Sequence, residues 1–152
     1  QSYLFNRALS RRLDDGYALD DPQPGDRLLF FNGRTDEVTA ANISAVKTHL
    51  ERGRCTIALF MPGKEKSVAK TPGERATEAL LEEYRITPED FGRASAFVRT
   101  KFEGAWRPVA LRADVRSAVE EGNLRLKFTL PPGHYATTVC REFMKADPER
   151  MI

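Results

Sequence analysis

The sequence predicts an α+β fold in which helices pack on a mostly antiparallel sheet, and three observations carry that reading. Apolar residues recur at helical spacing in several stretches, two of which open on Thr-Pro cap signals at Thr71 and Thr87. Short apolar or alternating runs at 28–31, 55–61 and 124–130 have the length and pattern of strands. Neither a phosphate-binding nor a dinucleotide-binding glycine fingerprint is present, which removes the motifs of the nucleotide folds.

Taken in order, Tyr3, Phe5, Leu9 and Leu13 fall about one helical turn apart and predict a first helix stopped by Gly16. Gln1 stands within this amphipathic pattern with no Met and no cap residue before it, so the chain reads as a piece of a longer one. Pro22, Pro24 and Gly25 make a loop, and Leu28 to Phe31 is a strand entering a tight turn at Asn32 and Gly33. Thr39 to Arg52 returns to helical period, with Ile43, Val46 and Leu50 on one face, Thr39 or Asn42 as cap and Gly53 as stop. Cys55 to Met61 is the next strand.

Residues 62–70 form a polar loop. At Thr71, Pro72 and Glu74 a capping-box pair and a proline at the first helical position predict a helix to about Tyr84, with Ala76, Leu80 and Tyr84 inward. Thr87, Pro88 and Asp90 start a shorter one by the same logic. Ala94–Phe102 and Trp106–Leu111 are expected as strands of a hairpin about Glu103 and Gly104, with Asp114–Glu121 as a connecting helix. Leu124, Leu126, Phe128 and Leu130 alternate with Arg125, Lys127 and Thr129, so one face is expected to be buried and the other to meet solvent or a polyanion. Tyr135, Val139 and Phe143 then space a final helix ending near Lys145.

Composition narrows the classes of function. The chain has 152 residues, 41% hydrophobic and 30% charged, enough for one packed domain with room for a small second lobe. Lys plus Arg number 24 against 22 Asp plus Glu, a net charge of +2, which falls short of the strongly basic balance of many nucleic-acid binders. No apolar run approaches the roughly 20 residues of a membrane span, and residues 1–12 lack the apolar core of a secretory signal. A cytoplasmic protein without a membrane partner is therefore expected, with Cys55 and Cys140 as free thiols. His49 and Cys55 share a His-x5-Cys spacing with His134 and Cys140, but the short knuckles of structural zinc sites are missing, so no metal is expected.

Candidate binding groups are few. Lys64, Lys66, Lys70 and Arg75 lie close in sequence and could meet phosphates, although Glu65 and Glu74 make a solvated face the simpler reading. The segment Phe128, Thr129, Leu130, Pro131, Pro132, Gly133, His134, Tyr135, Ala136, Thr137 joins a strand to a helix through a rigid turn and leaves Tyr135 at the helix start, where its ring could face a cleft.

This segment, with Arg141 and Glu142 after it, resembles the C-terminal signature of the TruD family of tRNA pseudouridine synthases, Phe-x-Leu-Pro-x-Gly-Ser-Tyr-Ala-Thr followed by an Arg-Glu pair. Other pieces agree in the family's order: Gln1 to Arg7, Ala41 to Ile43, Pro62 with Gly63, Pro72 to Glu74, Phe91, and Gly104 to Pro108. The resemblance spans essentially the whole chain. His134 stands where the family usually has Ser, and Cys140 where an aliphatic residue is common.

The family's catalytic aspartate resembles part of a Gly-x-Lys-Asp-x-x-Ala motif, and no Lys-Asp dipeptide occurs here; the Asn-Tyr-Phe-Gly motif is also missing. The resemblance thus implies residues 1–112 as most of the family's insertion domain and 113–152 as a strand and helix of the synthase domain. It implies a parent enzyme that isomerises a tRNA uridine without cofactor or metal through a carboxylate nucleophile and a flipped base. The chain by itself is expected to be inactive, with tRNA as partner and no need for more than a monomer.

By this resemblance Tyr135 packs on the target base, and Arg107, Arg141, Lys64 and Lys66 contact phosphates. The alternative is a stand-alone RNA-binding module without chemistry. A small-molecule enzyme is a third reading, but no acid–base pair in the sequence supports it.

Overall fold

The structure, a computed structural model, describes residues 1–64, 71–131 and 134–145. It is α+β, as the sequence predicts, and divides into two compact units, Gln1–Leu111 and Arg112–Ile152.

The first unit is built on a four-stranded antiparallel sheet. Its strands are β1 (Arg27–Phe30), β2 (Thr35–Glu37), β3 (Cys55–Met61) and β4 (Ala105–Pro108), in the spatial order β2-β1-β3-β4. Arg27 lies opposite Ala58, and Ala58 opposite Pro108, so β3 is bonded on both sides. Four helices complete the unit: α1 (Ser2–Asp14), α2 (Ile43–Glu51), α3 (Pro72–Glu83) and α4 (Pro88–Val98). Of these, α1, α2 and α3 contact β3.

One face of β3 supplies Cys55, Ile57 and Leu59 to a core shared with Leu28, Val38, Phe5, Leu50 and Leu80. Ile57, Val38 and Leu80 are wholly buried, and each side chain of this kind contributes about 1.5–3 kcal/mol relative to exposure. The opposite face carries Phe60 and Trp106, cross-strand partners whose rings meet edge-on at 5.5 Å, with the Arg27 guanidinium 5.2 Å from the indole.

Local chemistry explains the helix starts. Thr71 accepts from the Glu74 amide at 3.2 Å while Glu74 accepts from the Thr71 amide at 2.8 Å, the reciprocal pair anticipated from the sequence. Thr39 and Asn42 make the corresponding exchange before α2, each side chain accepting from the other's amide, and Asn42 also donates to the Glu37 carbonyl. These bonds hold 39–42 outside the helix, so α2 begins at Ile43 with Asn42, the second of the two expected caps, at its N-cap position.

Several expectations are corrected. In α1 the inward residues are Leu4, Phe5, Ala8 and Arg12, whereas Tyr3 and Leu13 are exposed. A buried arginine with a partner takes the place that spacing assigned to leucine. In α3, Thr77 is buried beside Leu80 and Ala76 and Tyr84 are only half-buried; the Thr77 hydroxyl donates to the Phe60 carbonyl at 3.0 Å, a bond available only once β3 is in place.

Ala94–Val98 continues α4 instead of forming a strand, because the proline start at Thr87 propagates through helix-compatible alanines until Arg99 turns left-handed at φ 53°. No hairpin forms about Glu103 and Gly104. β4 pairs with β3 instead, and Trp106 is its second residue, so the strand stops at Pro108, short of Leu111.

The second unit contains a hairpin of β5 (Arg116–Glu120) and β6 (Asn123–Lys127), followed by α5 (Ala136–Met144). The helix expected over 114–121 is thus largely a strand. Gly122, at φ 79°, and Glu121, at φ 50°, adopt the left-handed conformation of a two-residue hairpin turn that matches the twist of the flanking strands. β6 ends at Lys127, earlier than the alternation to Leu130. Leu126, Phe128 and Leu130 are half-buried, while Leu124 is exposed, so the buried face is weaker than expected. Among the described residues no helix is long and apolar enough to cross a membrane.

Candidate functional site

Tyr135 caps α5 in an extended conformation and is 61% exposed. Before it, the His134 amide donates to the Pro131 carbonyl at 3.3 Å, with the His134 ring nitrogen 3.2 Å from the same oxygen. Pro132 and Gly133 lie outside the described residues. The Thr138 amide bonds the Tyr135 carbonyl at 3.1 Å, so the aromatic residue is anchored to the first turn of a regular helix while its ring stays accessible.

Arg141 lies in the last turn of the same helix and is exposed. One residue on, Glu142 takes a hydrogen bond from Lys145 at 3.0 Å, and that bond holds its carboxyl below the usual carboxylate range. Tyr135 and Arg141 therefore share one short helix, and Lys145 is drawn toward Glu142.

The hairpin adds cations that sequence reasoning missed in part. Arg116 stands directly opposite Lys127, and Ala118 opposite Arg125, placing Arg116, Arg125 and Lys127 on one face. Arg125 pairs with Glu120 at 2.9 Å, while Arg116 and Lys127 form no ion pair among the described residues. Like charges set face to face disfavour each other unless an anion lies between them. Arg116 was hidden by its assignment to a helix; the alternation of Arg116, Ala118 and Glu120 with Ser117 and Val119 is the signal that finds it.

In the first unit, Lys64 follows β3. Its amide donates to the Phe102 carbonyl at 2.8 Å, and its ammonium lies 3.9 Å from Glu103, exposed enough for solvent to compete for the charge. Arg107 sits on β4 opposite Leu59, half-buried, with its guanidinium 4.7 Å from the Phe5 ring centre. Lys66 lies outside the described residues. The structure thus distributes the sequence-derived candidates over both units, with Tyr135 and Arg141 together on α5 and Lys64 and Arg107 on the sheet unit.

Pro62 and Gly63, part of the resemblance, have a structural role. A Cβ on Gly63 would stand 2.3 Å from backbone atoms of Glu103 and Gly104, so only glycine lets the two segments cross. Gly104 in turn packs under Phe60, whose ring a Cβ would meet at 2.8 Å. Among the described residues no cluster of His, Cys, Asp and Glu suits a metal ion.

An antiparallel sheet unit joined to a hairpin and an aromatic-capped helix falls, when set beside known proteins, in the pseudouridine synthase class. The family model for tRNA pseudouridine synthase D (TruD) matches residues 1–143, and the chain belongs to that family. It is 37% identical over 158 aligned residues to the "Probable tRNA pseudouridine synthase D" of Natronomonas pharaonis, covering 99% of this chain and 35% of the relative. A protein of the same name from Methanosarcina acetivorans is 34% identical, with 99% and 37% covered.

The crystal structure of the "Putative tRNA pseudouridine synthase D (TruD)" from Methanosarcina mazei superposes with a TM-score of 0.71 at 30% identity, covering 98% of this chain and 37% of that one. The chain spans little more than a third of the length of the curated relatives it matches.

Proposed function

We propose that this chain is the RNA-facing insertion domain and one active-site wall of an enzyme that converts a tRNA uridine to pseudouridine. Residues 1–112 form most of the insertion domain, and 113–152 belong to the synthase domain. The division of the chain after Leu111 is consistent with that boundary. The observation that carries the reading is the exposed Tyr135 at the start of α5, inside the segment whose pattern resembles the family signature.

Isomerisation requires the base to leave its stack, and an unstacked base needs a flat apolar surface. Tyr135 supplies that surface. Arg107, Arg141, Lys64 and Lys66 hold the backbone, the sequence-independent part of RNA recognition. Cleavage and re-formation of the glycosidic bond need a carboxylate nucleophile, and the motif that carries it in the family has no counterpart in these 152 residues. The chain alone is therefore inactive.

Tritium release from tRNA labelled at uridine carbon 5 tests this. The expected result is no release by the chain alone and release once it is joined to the complementary part of a TruD relative. Absence of release from the joined protein would favour the second reading, an RNA-binding module without chemistry, for which the face that sets Arg116 opposite Lys127 is the supporting observation. That module would bind tRNA with strong salt dependence.

A further inference from the structure

At the far end of the sheet from β4, the turn between β1 and β2 faces the end of α2 across a cleft of about 670 Å³. This lies in the size range of sites that hold small ligands, roughly 300–1,000 Å³. The turn is rigid: the Phe30 amide donates to the Arg34 carbonyl at 2.8 Å, Gly33 is left-handed at φ 83°, and the Asn32 side chain accepts from the Arg34 amide at 3.1 Å. This geometry holds Phe31 out, 68% exposed, beside the cleft.

The second wall is equally fixed. The Arg54 amide bonds the His49 carbonyl at 2.9 Å, and the His49 ring stands edge-on to Phe30 at 5.9 Å. The His49 Nδ1 atom is buried without a hydrogen-bond partner, a feature that is uncommon in a finished interior. Arg34 and Arg54 are exposed and form no ion pair among the described residues. Asp36 also lines the cleft, its Oδ1 accepting from the Glu37 amide at 2.8 Å.

We infer that this cleft binds an unpaired nucleotide of the RNA, its base stacked on Phe31 and its phosphate held by Arg34 and Arg54. The inference rests on the proposed RNA-binding function, and assigns it a site that none of the residues named above for substrate contact includes. An exposed ring flanked by two exposed guanidiniums is the combination that single-stranded RNA uses, since every base has a π-face and every linkage a charge. Asp36 repels phosphate and accepts from an exocyclic amino group, so cytosine, adenine and guanine suit the site better than uracil. A protein partner would need a contact area well beyond this cleft, of the order of 1,000 Å² in total.

Fluorescence anisotropy with the 152-residue chain, a tRNA transcript and short unstructured RNAs tests the site. Phe31→Ala should weaken binding about tenfold, and Phe31→Trp should restore it. Arg34→Ala and Arg54→Ala should each reduce the slope of log affinity against log salt by about 0.7. Because Phe31 is exposed, thermal unfolding should be unchanged in its variants. If the parent chain binds tRNA and the Phe31 and arginine variants bind equally well, the cleft is not an RNA site and the proposed function stands. If the parent chain binds no RNA, the cleft is not an RNA site, and tritium release by the joined protein decides the proposed function separately.

Discussion

Arg12 and Asp26 meet through two parallel hydrogen bonds, 2.9 and 3.0 Å, with both side chains buried, while the same guanidinium donates to the Asp21 carbonyl at 2.6 Å. Asp26 also accepts from the Gln23 amide at 2.8 Å, so one ion pair ties α1 to the loop that leads into β1. Removing either partner leaves a buried charge uncompensated. Arg12→Ala or Asp26→Ala should cost about 3–5 kcal/mol in denaturant unfolding, whereas Arg12→Met combined with Asp26→Leu should cost much less.

Gly63 and Gly73 both lie in Pro-Gly pairs that carry the resemblance, and the structure separates them. At Gly63 an added methyl meets backbone at 2.3 Å, so Gly63→Ala should destabilise by about 1–3 kcal/mol. At Gly73, in the first turn of α3, it meets among the described residues only a Leu59 methyl at 3.5 Å, and Gly73→Ala should leave stability unchanged or raise it by up to about 1 kcal/mol. Thermal unfolding of the two variants in parallel checks the contrast.

The start of α4 should make stability pH-dependent. Asp90 accepts from the Thr87 amide and hydroxyl, each at 2.8 Å, and from Arg93, and these bonds, the amide first, hold its carboxyl below the usual range. The unfolded chain then binds the proton more readily than the folded one. The stabilisation is complete above the ordinary carboxylate pKa and is lost as pH falls through the lower folded value. Asp90→Asn should therefore lower Tm at neutral pH, with a difference that closes on acidification; a constant difference would contradict the assignment.

The two thiols should differ in reactivity. Cys55 is buried in β3, and burial pushes its thiol pKa up, while Cys140 is half-buried on α5. Maleimide at neutral pH should label Cys140 first and Cys55 only as the sheet opens.

Tyr135→Ala, made in the chain joined to the complementary part of a TruD relative, should reduce turnover at least about tenfold with little change in Tm, because the ring is largely exposed. Parallel losses of activity and stability would instead assign the ring to packing.

What the sequence made legible follows the range of the interactions. The caps at Thr71 and Thr87 depend on residues three positions apart and were readable, as was β3, which contains the apolar run Ile57 to Met61. Ala94–Phe102 was not, because a short apolar stretch fits strand and helix alike until its neighbours are known, and Phe97 proves to be 89% exposed with no ladder beside it. Thr77 and Arg12 are buried only because Phe60 and Asp26, distant in sequence, supply partners. Around the candidate site, the position of Tyr135 at the start of α5 was legible from its motif, whereas the Arg116–Lys127 pairing and the cleft at Phe31 arise from strand register and turn geometry.

The place of β3 in the middle of the sheet sets an order of assembly. Its pairing with β1 closes a loop that holds β2 and α2, whereas its pairing with β4 closes a longer one that holds α3 and α4. Loop closure costs more entropy as the intervening chain lengthens, so β1 and β3 come together first and β4 seals the sheet last. Amide hydrogens of β3 that bond to β1 should accordingly gain protection from exchange earlier in refolding than those that bond to β4, and the Gly63 crossing, which clasps the chain just beyond β3 to the approach to β4, becomes the latch of the final step.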